Sequence, residues 1–275
     1  MPDAGGLEPF ELLYEAESLP EVELPAELRR LHAGDLGFRE PRFYANFVST
    51  LDGVVAIPGI ARSNDLIAAD SDADRFLMGL LRAFADVVLI GAGVLRASPG
   101  GTWRPERIYP SAANGYAELR RKLGRPEAPE VAILTGSGSI DPAHPLLVSG
   151  ALVLTSPTGV ARLDGRTPHA STIVDLGGST TIDPLLVVEA LHARGHLRIL
   201  SEAGPHAFGG FLRAGVVDEL FLTTSPLLVG DAGHGTRFRL VEAADLVSLD
   251  VGGRLLSLRR HRSHVFLRYE LTRSP

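Results

Sequence analysis

Asn46-Phe47-Val48-Ser49-Thr50-Leu51-Asp52-Gly53 is the stretch on which the reading of this chain turns. An apolar strand that starts near Phe43 runs here into hydroxyls, a carboxylate and a glycine. Two later strands end in the same manner: Val87-Val88-Leu89-Ile90-Gly91-Ala92-Gly93 and Arg198-Ile199-Leu200-Ser201-Glu202-Ala203-Gly204-Pro205. In an open α/β sheet such strand ends converge on one crevice, where ligands bind at a switch in strand order.

Short aliphatic and β-branched runs recur outward from that stretch, at Phe43–Ser49, Val87–Ile90, Val131–Thr135, Ala151–Thr155, Thr172–Leu176, Arg198–Ser201 and Glu219–Thr224. Continuous apolar runs of this length suit strands covered on both faces. Helix signals lie between several of them. Ser71 or Asp72 caps a segment in which Phe76, Leu77, Leu80, Leu81 and Phe84 recur at helical spacing. Asp183-Pro184 opens a second helix that Gly195 stops, and Pro205 to Gly215 repeats that logic. Strand, helix, strand alternation predicts an α/β fold with a mostly parallel central sheet and flanking helices. Arg254–Arg260 and Val265–Leu271 leave no room for a crossover, so they form a C-terminal antiparallel hairpin.

The domain expectation is an N-terminal extension, residues 1–40, packed on a main domain of residues 41–275. Pro2, Pro9, Pro20, Pro25 and Pro41 break any long element in the extension. The Pro- and Gly-rich segment from Ser98 to Pro110 reads as a long functional loop.

Composition excludes several classes. The chain has 275 residues, 45 % of them apolar, and a formal charge of −6. Eight acidic residues precede the first base, Arg29, so no electrostatic nucleic-acid partner is expected. No run approaches the ~18 apolar residues of a membrane span, and the acidic start lacks the pattern of a secretion signal. The expected location is cytoplasmic. Cysteine is absent, which removes disulfides, thiolate nucleophiles and cysteine-based metal sites. The single lysine, Lys122, sits in an Arg-rich polar stretch that suits solvent better than Schiff-base chemistry.

Gly91-Ala92-Gly93 follows a strand and precedes a helix-like Val94-Leu95-Arg96-Ala97. Backbone N–H groups there favour an anion such as a cofactor pyrophosphate. The full dinucleotide fingerprint fails, because its third glycine would fall at Arg96. Glu202-Ala203-Gly204-Pro205-His206 offers a second junction of the same kind, with Glu202 suited either to a ligand's amino or hydroxyl groups or to a salt bridge. Asp52-Gly53 reads as a turn pair or as a carboxylate at the crevice. His192 and His196 have helical spacing, but Gly195 ends the helix between them. No metal site is expected, and neither a GxSxG elbow nor a Tyr-xxx-Lys pair occurs.

Taken in order, Ser-Thr-Leu-Asp-Gly at 49–53, Leu-Arg-Ala at 81–83, Ala-Asp-Val-Val-Leu-Ile-Gly-Ala-Gly at 85–93, Ser-Glu-Ala-Gly-Pro at 201–205 and Val-Asp-Glu-Leu at 217–220 resemble the reductase domain of riboflavin biosynthesis, the C-terminal domain of RibD. The resemblance spans roughly Pro41 to Leu271. It implies a dihydrofolate reductase-like fold and a homodimer. It also implies an NADPH-dependent reductase that delivers hydride to the sugar carbon of a ribosylamino-pyrimidine phosphate. By that resemblance Gly91, Gly93, Val94 and the turn Ala203, Gly204, Pro205, His206 and Ala207 hold the cofactor, with Thr135 and Ser137 near its adenosine end. Thr50, Ser63, Arg82 and Glu202 face a small heterocyclic substrate, and Asp52 orients the reacting groups and supplies or relays a proton.

The sequence departs from the family at Val94, where Thr is usual, at Ser98, where Asp is frequent, and at Ala203, where a second Gly is usual. The zinc deaminase fused to many bacterial relatives requires cysteines this chain lacks, so a lone reductase is expected. Two other readings stand beside it: a reductase of a folate, pterin or other heterocycle, and a catalytically idle nucleotide-binding module.

Overall fold

Alternating burial explains why the strands read as unbroken apolar runs. In β2 (Arg42–Ser49), Tyr44 enters a core cluster on one face, while Phe43, Ala45 and Phe47 enter a second cluster on the other. β4 (Val87–Gly91) divides in the same way, with Val88 and Ile90 on the first face and Val87 and Leu89 on the second. Period-two alternation with both faces covered leaves Asn46 as the one polar residue between Arg42 and Ser49 in β2, and none from Val87 to Ile90 in β4.

The computed structural model describes residues 6–60, 62–178, 181–231 and 237–273. After β1 (Glu11–Glu15) and α1 (Ala26–His32), β2 is followed by β3 (Val54–Ala56), α2 (Ser63–Ile67) and α3 (Asp72–Phe84). Beyond β4 come α4 (Ala92–Ala97), α5 (Pro105–Ile108), α6 (Ala113–Lys122), β5 (Glu130–Thr135), α7 (Pro145–Ser149), β6 (Leu152–Thr155), α8 (Pro157–Leu163) and β7 (Thr172–Asp175). The chain then returns through α9 (Pro184–His192), β8 (Arg198–Ser201), α10 (Pro205–Ala214) and β9 (Glu219–Thr224). It closes with β10 (Phe238–Arg239), β11 (Val251–His261) and β12 (His264–Arg273).

Ten strands make one sheet in the order β1-β11-β12-β9-β2-β8-β4-β5-β6-β7. The run from β9 to β7 is parallel, and β12, β11 and β1 extend it in antiparallel fashion. The order reverses around β8, which returns late in the chain to lie between β2 and β4. A crevice is expected at that switch.

Capping follows the sequence. Ser71 caps α3 by accepting from the Asp74 N–H at 3.3 Å, and Asp183 caps α9 by accepting from the Leu185 N–H at 2.9 Å. α10 starts at Pro205 and stops at Gly215, whose φ of +70° is the left-handed conformation that glycine adopts without strain. On α3, Phe76, Leu80, Leu81 and Phe84 are fully buried. Burial of such side chains stabilises by roughly 1.5–3 kcal/mol each.

Three regions differ from the sequence reading. The Pro-punctuated N-terminal stretch supplies β1, an edge strand paired antiparallel with β11 through Glu11 and Arg260. Phe10, Leu24, Leu28 and Leu31 join the same core cluster as α3. Residues 1–5 of the expected extension lie outside the described residues. The segment Ser98 to Pro110 carries α5 and a buried Trp103 rather than running as an open loop. The C-terminal hairpin is longer than expected, with a register shift between Leu255 and Ser257. Among the described residues no helix is long and apolar enough to cross a membrane.

Candidate active site

The β4 and β8 strand ends meet at the switch, and β2 runs four residues further, to Ser49, before its turn. Ala45 of β2 and Leu89 of β4 both pair with Ser201 of β8, so the β8 turn lies between the other two. The Glu202 N–H donates to the Leu89 carbonyl at 2.9 Å. A Cβ built on Gly91 would lie 4.0 Å from the Gly204 nitrogen, so the two glycine turns adjoin directly.

Backbone conformation does not require glycine at either place. Gly91 has φ −91° and Gly204 φ −69°, values that any residue adopts. Nothing lies within 4 Å of a Cβ built on Gly204, and only the Arg96 guanidinium, at 4.0 Å, neighbours one built on Gly93. What glycine provides here is open space beside backbone N–H groups and the N-terminus of α10. That space fits the pyrophosphate of a dinucleotide.

The β2 turn realises both readings of Asp52-Gly53. Gly53 has φ +82°, and its N–H closes the turn onto the Thr50 carbonyl at 3.0 Å. Asp52 accepts from the Thr50 hydroxyl and, at 2.7 Å, from the Gly230 N–H, tying the turn to the segment after β9. These two hydrogen bonds, the Thr50 one foremost, hold its carboxyl below the usual carboxylate range. Held in this way the carboxylate fixes the conformation of the turn.

Arg82, in the last turn of α3, meets Glu202 in a two-pronged ion pair. Nε donates to Oε1 and Nη2 to Oε2, both at 2.7 Å, with the side chains 8 % and 10 % exposed. The salt-bridge reading of Glu202 is thus realised, and these two charges satisfy one another between α3 and the end of β8.

The remaining expected residues distribute along the same edge. Ser63 opens α2, and its hydroxyl accepts from the Ile57 N–H at 3.4 Å. Thr135 is buried at the end of β5, where its carbonyl accepts the Thr155 hydroxyl at 2.5 Å. Ser137 is half-buried in the turn that follows. Val94 packs against the α3-side core, and Ala203 is buried against the α10-side core. Ala207 is half-buried on α10, and Pro205 is buried at its first position. His206 is exposed and meets Phe238 edge-on, with ring centroids 4.9 Å apart.

Sequence reasoning missed Asp74. It lies in the first turn of α3 and is 4 % exposed. Burial pushes its carboxyl up to about 6, against the Thr223 hydroxyl and Arg75, which favour the charged form. An acid in a first turn reads as an ordinary complement to the helix dipole, and nothing local signals its burial. Among the described residues no cluster of His, Asp and Glu could hold a metal ion. An open cavity of about 640 Å³ between α1 and the C-terminal half of α6, lined by Arg29, Arg30, Glu118 and Lys122 among others, lies away from the strand ends.

Comparison with known proteins bears on the family and the fold. A pyrimidine reductase-like protein from Corynebacterium diphtheriae matches with 25 % identity and a TM-score of 0.65, over 85 % of this chain and 93 % of that one. RibD from Acinetobacter baumannii matches with 19 % identity and a TM-score of 0.63, over 85 % of this chain and 58 % of that one. A deaminase/5-amino-6-(5-phosphoribosylamino)uracil reductase from Thermotoga maritima matches with 18 % identity and a TM-score of 0.58, over 85 % and 57 %. The chain therefore spans somewhat over half the length of the latter two. No curated protein matches the sequence. The class is α/β, with a mostly parallel central sheet, flanking helices and antiparallel C-terminal strands. The family model described as the RibD C-terminal domain matches residues 41–256, and the chain belongs to that family, one of reductases.

Proposed function

We propose that this protein is an NADPH-dependent reductase of a ribosylamino-pyrimidine phosphate, converting the ribosylamino group to a ribitylamino group. The observation that carries the reading is the adjoining pair of glycine turns, Gly91 and Gly204, at the ends of β4 and β8. Family membership and the likeness to a pyrimidine reductase-like protein support it.

The reduced nicotinamide, when bound, supplies the hydride. The chain's own work is positioning. Backbone N–H groups after Gly91 and Gly204 hold the pyrophosphate, and Thr135 and Ser137 border its adenosine end. Arg82 and Glu202 brace the floor, so the reacting carbon meets a fixed surface. Asp52 keeps the turn after β2 tied to Gly230. Hydride adds to the sugar carbon of the ring-opened imine and a proton from solvent completes the amine nitrogen, so positioning groups suffice without a dedicated acid. A homodimer is part of the proposal.

The test is loss of reduced-nicotinamide absorbance with the ribosylamino-pyrimidine phosphate, with mass spectrometry of the product. Turnover to the ribityl compound with NADPH is expected. Turnover of dihydrofolate or a dihydropterin alone would overturn the substrate, and tight NADPH binding without turnover of any heterocycle would overturn the enzyme. Light scattering tests the dimer.

A further inference from the structure

Where β12, β11 and β1 extend the sheet past β9, one face is closed and the other is open at the level of Leu267. On the closed side Phe266 of β12 stacks on Phe10, and the Arg268 guanidinium lies 5.0 Å from the centre of the Phe38 ring. On the opposite side the strand register aligns Tyr14 of β1, Leu258 of β11, Leu267 of β12 and Leu222 of β9 in one row. Phe47 of β2 continues that row beneath Phe208 of α10, with ring centroids 4.8 Å apart.

The cover stops there. Leu222 still packs against the α10-side cluster, but Leu258, Leu267 and Val265, which shares their face, are half-buried and belong to no apolar cluster among the described residues. Tyr14 is 45 % exposed, and Leu12 and Leu13 beside it are 43 % and 49 % exposed. The row is four strands wide, about 19 Å across. Monomeric proteins seldom leave a contiguous apolar patch of that breadth to water.

Shape and charge select the occupant. Side chains at one register level on adjacent strands make a flat ridge, which a second sheet buries face to face at a spacing of about 10 Å. Strand addition at the β1 edge is opposed by the register shift between Leu12 and Tyr14 and by the carboxylates of Glu11 and Glu15. The chain carries −6 overall, with eight carboxylates ahead of Arg29, so an anionic lipid surface repels it. The ion pair bordering the row, Glu11 with Arg260, is neutral as a unit, so two like faces meet there without repulsion. A second copy presents the same row, and a two-fold axis lays one over the other.

We propose that the homodimer forms on this face, by packing of the β9-β12-β11-β1 sheet of one copy against that of another, with Tyr14 completing the surface. This rests on the homodimer of the reductase reading and deepens it by naming the partner surface. Tyr14 precedes residue 41, where the family match begins, so the N-terminal segment of this chain shapes the interface.

The chain has no cysteine, so single-cysteine variants report proximity without background. Treated with a short bis-maleimide, Leu258→Cys and Leu267→Cys should join two chains, whereas Val148→Cys, on α7 and 56 % exposed, should not. Leu267→Lys should raise the dimer dissociation constant by at least about a hundredfold in light scattering, since symmetry brings two uncompensated charges into the interface. Its circular dichroism should match wild type; if it does not fold, the cross-linking carries the test. A dimer that fails to cross-link along the row, or that persists in folded Leu267→Lys, would overturn the surface and leave the homodimer and the reductase standing. A monomeric wild type would overturn surface and homodimer together, with the turnover assay judging the reductase separately. Monomers that sediment with phosphatidylglycerol vesicles would assign the face to lipid and overturn the proposal.

Discussion

Arg82 and Glu202, 120 residues apart in the chain, are joined by two parallel 2.7 Å hydrogen bonds at the junction of α3 and β8. The pair locks the helix that precedes β4 to the strand inserted beside it. Breaking a buried pair by removing one partner leaves an uncompensated charge. Glu202→Gln should lower the unfolding free energy by about 3 kcal/mol, and replacing both residues by Met and Leu should recover part of that loss. Denaturant titration of the single and double variants checks it; a loss below about 0.5 kcal/mol in Glu202→Gln would contradict the assignment.

Gly91→Ala separates cofactor binding from folding. The backbone there accepts alanine, and the nearest atom to the added methyl is 4.0 Å away. Stability should change by less than about 0.5 kcal/mol. The methyl would occupy the space proposed for the pyrophosphate, so NADPH affinity should fall on the order of tenfold. Quenching of the single tryptophan, Trp103, or calorimetry reads the change, and unchanged affinity would remove that space from the site.

Asp52 should act as a tether. In Asp52→Ala the Gly230 amide loses its acceptor and should exchange with deuterium faster, whereas Asp52→Asn keeps an acceptor oxygen and should show a smaller change. Because its carboxyl is held below the usual range, the tether is complete above the ordinary carboxylate pKa and is lost only as pH falls through the depressed value. Exchange in Asp52→Ala that matches wild type would rule the tether out.

Two buried groups give acid stability opposite slopes. His32, packed against Phe10 and near Arg259, is pushed down to about 3 chiefly by burial. Its stabilising contribution is complete above 6.5 and is lost as pH falls toward 3, amounting to about 2 kcal/mol by pH 5. Asp74, raised to about 6, acts in the other direction: the fold gains stability from its protonation as pH falls from 6 toward 3.8. Arg75 and the Thr223 hydroxyl oppose that shift, while Glu202 and Asp65 reinforce it. Relative to wild type, His32→Gln should flatten the acid decline and Asp74→Asn should steepen it. Thermal unfolding at pH 7, 6 and 5 tests both signs.

The parallel strands could be read from the chain because burial on both faces leaves an uninterrupted apolar run, as in Val87–Ile90. β1 escaped because Leu12, Leu13 and Tyr14 are exposed on an edge strand, so Glu-Leu-Leu-Tyr-Glu shows neither alternation nor a long apolar run. β3 and β10 are too short to carry any period. The glycine turns were legible because strand, glycine, helix is a local signature. The pairing of Arg82 with Glu202 and the burial of Asp74 against β9 were not, since both depend on how α3 lies across strands distant in sequence.

The family match begins at residue 41, yet the cooperative unit begins earlier. Arg259 of β11 bonds both the Glu15 carboxylate and the His32 carbonyl, and Phe10 stacks on Phe266 at 4.5 Å. A version trimmed to the homologous region would uncover β11 from Ser257 to Arg260 and expose Phe266. An unprotected sheet margin of that kind recruits a neighbour's strand, so such a trimmed protein should precipitate or exchange segments where the full chain stays dispersed.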